Sequence, residues 1–470
     1  MQWALVLLVV AAFGIRLYNL NAKSLWSDEG LSLQRAQQPV SLIPQNLNLI
    51  PTGPDYHNGT TQEPMIKSHD LHPPLYFLLM HFWIQVAGKS EFALRFPSVV
   101  GATLALPLFY ALTHTLLSRK AGFWAALLSA SSPFYLWHAQ EVRMYTWVVT
   151  LSLASVYALL PLLENAPRRR DYLVYIATTL ALSYTHYSGF LLAAFEVIVY
   201  GAYRLRKRPR EALIILGVLA VAFAPLAPYL WNLFQRSIFG FAHRPLHLIL
   251  AEACSAFSLG LGEPVIRPLW KMAPFLILFA AGILMTKVKR RQRACTICLG
   301  YLILPILLLY ILSLLKPNYM NPRHLMAASP AWEIILAQGL ATLQRRRLWP
   351  GLVIILGLVF LLRGKANYEI FTANSMWKDD IRGAAEYIEA RAQPGDAIIL
   401  HDAVIRPTFD YYYKGPHPEI AIPRYDRMGN LKQAQEEFAA WAERYDRIWF
   451  LYGPPPIYFP RDFLPNWADA

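Results

Sequence analysis

Met1-Gln-Trp-Ala-Leu-Val-Leu-Leu-Val-Val-Ala-Ala-Phe-Gly-Ile-Arg-Leu-Tyr-Asn-Leu20 is an apolar run of membrane-spanning length, and the polar stretch Ser24-Leu-Trp-Ser-Asp28-Glu29-Gly30 follows it directly. The run lacks the basic leader of a signal peptide, so it reads as a retained first span. Two adjacent carboxylates at the mouth of a membrane helix are costly to desolvate. They face a water-filled cavity, a metal or a reacting group, or they open a helix in a solvated loop.

The alternation of apolar runs and short polar breaks continues along the chain. Of 470 residues, 56% are hydrophobic and 16% charged, a composition that fits a polytopic membrane protein better than a soluble one. Fourteen Trp and 26 Tyr suit two interfacial belts. A net charge of +14 would also suit a nucleic-acid binder, but the basic residues sit in short clusters between apolar runs, as in cytoplasmic loops beside an anionic leaflet. Cys254, Cys295 and Cys298 offer no disulfide framework. The pair Cys295-Thr-Ile-Cys298 opens an apolar segment with no second pair, so it reads as packing.

The basic clusters are Arg119-Lys120, Arg168 to Arg170, Arg204 to Arg210, Lys287 to Arg293 and Arg345 to Arg347. If all face the cytoplasm, an even number of spans separates successive clusters. That gives spans near 121–138, 144–163, 172–186, 190–203, 212–231, 268–286, 294–315 and 324–343, with a last one at 348–363. Upstream, 1–20 and 97–117 span. His72-Pro-Pro-Leu-Tyr76 begins a short aromatic helix that lies at the outer interface. The expected fold class is a polytopic all-α membrane protein of about eleven spans. Residues 1–363 form the transmembrane domain, with an outer loop at 21–96, and residues 364–470 a small extracytoplasmic α/β domain. In that last part Trp377 to Arg391 and Leu431 to Arg444 have helical periods, while Ala397 to Leu400 and Arg447 to Tyr452 read as strands. Phe409-Asp-Tyr-Tyr-Tyr is strand or helix, and no Gly-rich phosphate loop is present. The N-terminus is then cytoplasmic in a plasma (inner) membrane.

This topology places Asp28, Glu29, Glu141, Arg143, His186, Arg323 and His324 on the outer face. Glu141 and Arg143 in a tight turn either act on a ligand or neutralise each other. His69-Asp-Leu-His72 has a metal-like spacing but shows only one local group of ligands. His186 caps an outer turn, and Arg323 snorkels to headgroups or pairs with a phosphate. Glu196 and Glu333 lie inside apolar spans and need partners there. Asn58-Gly-Thr60 matches a glycosylation acceptor. Acids, Arg and His at headgroup depth suit a lipid-phosphate substrate. Cleaving a sugar from such a lipid needs a base for the attacking hydroxyl and cationic donors for the departing phosphate.

On Leu25-Trp-Ser-Asp28-Glu29, His72-Pro-Pro-Leu-Tyr76, Ser90 to Ser98, Gln140-Glu141-Val-Arg143-Met-Tyr145, Thr185-His186-Tyr187, Pro322-Arg323-His324 and Trp377 to Asp396, the chain resembles a known family. It is similar to the C-type superfamily of integral-membrane glycosyltransferases, specifically to bacterial relatives of the protein O-mannosyltransferases and lipid A aminoarabinose transferases. The resemblance runs over nearly the whole chain and implies a cell-envelope enzyme with a polyprenyl-phosphate monosaccharide as donor and inverting transfer. It maps the catalytic base to Asp28 and a second acid to Glu141, with Glu29 in support. Arg143, Tyr145, His186, Tyr187, Arg323 and His324 then face the lipid phosphate, and His72 and Tyr76 organise the loop or acceptor. Relatives often carry Arg-Tyr where this chain has Arg323-His324. Some C-type enzymes use a divalent cation and others none; if one binds here, Asp28, Glu141 and His72 are the candidate ligands. The acceptor is a protein, lipid or glycan. Two rivals remain: a lipid or sugar transporter, which wants charges near mid-membrane, and a non-catalytic subunit of an envelope assembly.

Overall fold

The structure, a computed structural model, describes residues 2–45, 47–51, 65–69, 72–164, 166–235, 243–262, 264–284, 289–315, 321–372, 378–401, 403–421 and 431–452. The chain forms two compact units. The first holds residues 1–20, 95–235 and 242–376, and the second holds the long loop after the first helix, 21–94, together with 377–470.

In chain order the helices are α1 (Gln2–Leu17), α2 (Ser27–Gln37), α3 (Leu75–Ala87), α4 (Glu91–Leu116), α5 (Arg119–Ala130), α6 (Pro133–Ala139) and α7 (Tyr145–Leu162). There follow α8 (Arg169–Thr185), α9 (Ser188–Arg204), α10 (Pro209–Phe223), α11 (Ala227–Gln235), α12 (Leu246–Leu259), α13 (Leu269–Leu284), α14 (Lys289–Leu315), α15 (Ser329–Arg345) and α16 (Trp349–Thr372). The last are α17 (Ile381–Glu389), α18 (Arg406–Tyr412) and α19 (Leu431–Arg444). The strands are β1 (Leu47–Pro51), β2 (Met65–His69), β3 (Asp396–His401), β4 (Glu419–Ala421) and β5 (Arg447–Tyr452).

Among the described residues, five helices are long and apolar enough to cross a membrane: 91–116, 145–162, 209–231, 294–315 and 349–372. Together with shorter apolar helices such as α1 and α13 they mark an integral membrane protein. Prolines account for the main departures from the expected spans. The run expected at 121–138 is two helices, because Pro133 opens α6 and restricts the residue before it. The one expected at 212–231 is interrupted by a 3-10 turn, Ala224–Leu226, containing Pro225. Helix α16 continues to Thr372, past the end expected at 363. The stretch expected outside the spans at 247–262 is itself largely helical, as α12.

Helix α15 is the centre of the first unit, with every residue from Ser329 to Leu343 buried. Small residues let it lie backbone to backbone on α13. A Cβ on Gly339 would stand 2.1 Å from the Leu278 carbonyl oxygen, and one on Gly282 would stand 2.4 Å from that of Ile335. Cys295 and Cys298 are buried one turn apart on α14, as packing residues.

In the second unit β1 and β2 pair antiparallel, from Leu47 opposite His69 to Pro51 opposite Met65, a hairpin that the hydropathy pattern does not reveal. Strands β3, β4 and β5 form a parallel sheet in the order β4-β3-β5. Period-two alternation splits the residues of β3. Ile398 and Leu400 pack with Ala385, Ile388 and Phe409 of α17 and α18, and Ala397 and Ile399 pack with Ile420 and Trp441. The aromatic stretch at 409 is helical, with Pro407 in the first turn of α18. Helix α17 starts at Ile381, where Asp380 caps it by accepting the Gly383 N–H at 3.0 Å; Trp377 lies outside the described residues.

Candidate active site

In the first unit, six of the sequence-selected residues share one band: Glu141, Arg143, Tyr145 and His186 are buried, and Tyr187 and His324 half-buried. The turn between α6 and α7 carries Glu141, whose Oε2 lies 2.8 Å from His138 Nδ1, both side chains being 1% exposed. Its other oxygen is buried with no hydrogen-bond partner among the described residues. Ser98 of α4 shapes the turn by donating to the carbonyls of Glu141 (2.6 Å) and Arg143 (3.1 Å). From His138 a series of rings follows: Tyr145 at 4.8 Å between centroids, then His186 at 5.7 Å, Tyr187 at 4.0 Å and His324 at 5.7 Å. The Arg143 guanidinium stands 5.7 Å from the Tyr145 ring centre. His186 is held by Ser188, whose hydroxyl is 2.8 Å from its Nδ1. Arg323 and His324 lie on a 3-10 segment, Pro322–Ala328, packed against α7 and α9; Asn321 caps it, accepting the Arg323 N–H at 3.0 Å. A small cavity lined by His138, Arg16, Tyr135 and Thr146 borders this band.

The second unit holds the acidic pair. Asp28 and Glu29 occupy the first turn of α2, where the helix dipole favours ionised carboxylates. The two differ in setting. Glu29 is fully buried, and its Oε2 accepts the Trp26 N–H at 3.3 Å, capping the helix. Asp28 is half-buried. Arg35, also fully buried, donates to the carbonyls of His72 (2.9 Å) and Ile43 (3.1 Å) and covers the Phe77 ring at 4.0 Å. It thereby ties α2 to the start of α3, where Tyr76 is buried. The loop before α2 is fastened by the C-terminal segment. Tyr412 Oη accepts the Leu25 N–H at 2.7 Å and donates to Glu91, Thr408 donates to the Trp26 carbonyl at 3.2 Å, and Arg382 pairs with Glu91. Burial and the Glu91 carboxylate push the Tyr412 hydroxyl well above its usual range, so it stays protonated as a donor.

The two acids expected inside apolar spans have partners. Glu333 forms a 2.7 Å ion pair with Arg363, the two side chains being 1% and 0% exposed. Glu196 accepts from Ser155 at 2.9 Å and Thr179 at 3.2 Å. Among the described residues no group of three or more His, Cys, Asp and Glu is placed to hold a metal ion. Asp70 and Asn58-Gly-Thr60 lie outside the described residues. Sequence motifs assign no role to His138, Ser98, Lys378, Arg382 or Tyr412. For His138 the available signal is its spacing of three residues from Glu141; Lys378 and Arg382 fall within a stretch that carries the resemblance, but nothing local marks their contacts or those of Tyr412, because the partners lie hundreds of positions away.

A family model described as dolichyl-phosphate-mannose-protein mannosyltransferase matches residues 71–231. No curated protein sequence matches the chain. Among solved structures, ArnT from Cupriavidus metallidurans in the apo state is similar, with a TM-score of 0.58 at 14% identity over 94% of this chain and 89% of that one. The same protein bound to undecaprenyl phosphate gives 0.56 at 12% identity, over 95% and 90%. The Archaeoglobus fulgidus oligosaccharyltransferase tethered to an acceptor peptide gives 0.56 at 13% identity, over 95% of this chain and 68% of that one. The chain therefore shares its fold with ArnT and the archaeal oligosaccharyltransferase, in line with the resemblance that its sequence motifs carry.

Proposed function

We propose that the protein is a membrane glycosyltransferase that moves a monosaccharide from a polyprenyl-phosphate donor to an acceptor hydroxyl, with inversion, on the outer face of the membrane. The observation that carries this reading is the band from Glu141 through Tyr145, His186 and Tyr187 to His324, with Arg143 beside the Tyr145 ring and Arg323 next to His324 in the chain. It occurs in a fold whose similar structures include one bound to undecaprenyl phosphate. Asp28 takes the proton of the acceptor hydroxyl, whose oxygen attacks the anomeric carbon. The bond from that carbon to the phosphate oxygen breaks, and polyprenyl phosphate departs with both bonding electrons. Arg143 and Arg323, with His186 and His324, stabilise its charge. Glu141 orients the acceptor, and His138 holds Glu141.

In this reading about eleven spans put the N-terminus inside and residues 364–470 outside as an α/β domain. The test is direct: purified protein, a panel of polyprenyl-phosphate sugars and mass spectrometry of acceptors. Asp28→Asn abolishes transfer while expression and melting temperature hold; a fully active Asp28→Asn protein removes Asp28 as the base.

A further inference from the structure

The cation beside the acidic pair comes from the far end of the chain. Lys378 Nζ lies 3.5 Å from Glu29 Oε2, and the side chains are 5% and 0% exposed. A carboxylate buried this completely stays ionised only with a charged partner and hydrogen bonds, and losing one partner leaves a stranded charge. The same Oε2 accepts the Trp26 N–H at the start of α2. If Glu29 takes up a proton or swings out toward water, that cap weakens, and the first turn, which includes Asp28, frays with it. The neighbouring contacts repeat the arrangement. The Arg382 N–H donates to Ser24 Oγ at 3.1 Å, and its guanidinium donates to the Asn21 carbonyl at 3.1 Å. Residues 21–30 are thus held from Lys378, Arg382, Thr408 and Tyr412, all in the C-terminal segment.

We propose that Lys378 is a positioning residue for transfer: it keeps Glu29 ionised at the cap of α2, fixes the turn that carries Asp28, and so divides the labour between the two adjacent acids. The inference rests on the reading of Asp28 as the base. It makes the C-terminal segment part of the catalytic apparatus.

The experiment uses the full-length purified protein with its polyprenyl-phosphate sugar, and compares Lys378→Met, Lys378→Arg, Glu29→Gln, the Glu29→Gln/Lys378→Met double variant and Asp28→Asn. Lys378→Met is expected to lower kcat at least about tenfold, the scale of a small misplacement of a reacting group, with KM for the donor unchanged within about twofold. Lys378→Arg restores most of kcat. The double variant, which strands no charge, is no slower than the slower single variant, so the two losses do not add. Three outcomes overturn the proposal: wild-type kcat in Lys378→Met when Asp28→Asn is dead, a rise in donor KM at constant kcat, or fully additive losses. An active Asp28→Asn protein refutes the base assignment instead. Where Lys378→Met does not fold, comparing the double variant with Glu29→Gln decides the question in its place.

Discussion

Replacing Gly30 by Ala tests the seating of α2 on the C-terminal segment. Gly30 lies in the first turns of α2, where Ala would ordinarily stabilise by about 1 kcal/mol through helix propensity. Here a Cβ would stand 2.0 Å from Thr408 Oγ1, 2.8 Å from the Thr408 N and 2.9 Å from its Cα. The hydroxyl can rotate away at the loss of its bond to the Trp26 carbonyl, worth about 1 kcal/mol. The backbone atoms cannot yield unless α18 and α2 separate by several tenths of an ångström, an overpacking cost of about 1–3 kcal/mol. The net expectation is a loss of about 1–3 kcal/mol, the propensity gain offsetting roughly the lost hydrogen bond. If Asp28 is the base, a shift of its turn also lowers kcat by about tenfold or more. The matched control is Gly14→Ala on α1, where nothing lies within 4 Å of the added methyl and stability should hold or rise. Thermal unfolding in detergent and steady-state transfer rates read the two effects. A Gly30→Ala protein as stable and active as wild type refutes the close packing of α2 on Thr408.

Two further expectations concern stability. Arg363 holds α16 to the rest of its unit, donating to the Ser258 carbonyl (3.0 Å) and the Leu128 carbonyl (2.6 Å) as well as to Glu333. Arg363→Met should cost about 3–5 kcal/mol by stranding Glu333, and Arg363→Met/Glu333→Gln clearly less; equal losses would show that the pair is not coupled. Burial on β3 lowers the His401 imidazole from 6.5 to about 4. Its folded value lies below the unfolded one, so the unfolded chain takes the proton first. Stability from this group is complete above pH 6.5, and up to about 3 kcal/mol is lost as pH falls to 4. Melting curves across that range should flatten in His401→Gln; an unchanged pH dependence would place the titration elsewhere.

Much of the candidate site is legible in the sequence because its residues come in local pairs. Glu141, Arg143 and Tyr145 belong to one turn, and His186 and Tyr187 to another, so a tight reversal between apolar helices is enough to mark them. His138 is visible in the same turn, but its bond to Glu141 depends on how α6 ends. Helix breaks are harder to read, since hydropathy runs on through Pro133 and Pro225 while the backbone cannot. The hairpin of β1 and β2 escapes because its strands are short and lie in a long polar loop.

The amino-acid sequence by itself determined the membrane class, the apolar helices and the motifs, because these depend on composition and near-neighbour spacing. It marked Asp28-Glu29 as an expensive pair of charges and, through the family resemblance, favoured Asp28. Only the tertiary structure decided how the pair is held: Glu29 fully buried at the cap of α2 beside Lys378, Asp28 left half-buried, and Gly30 pressed against Thr408. Those contacts join residues some 350 to 380 positions apart, and no local pattern encodes them. They arise because a buried carboxylate requires a cation and a close helix crossing requires a missing side chain, and the chain meets both needs with distant residues.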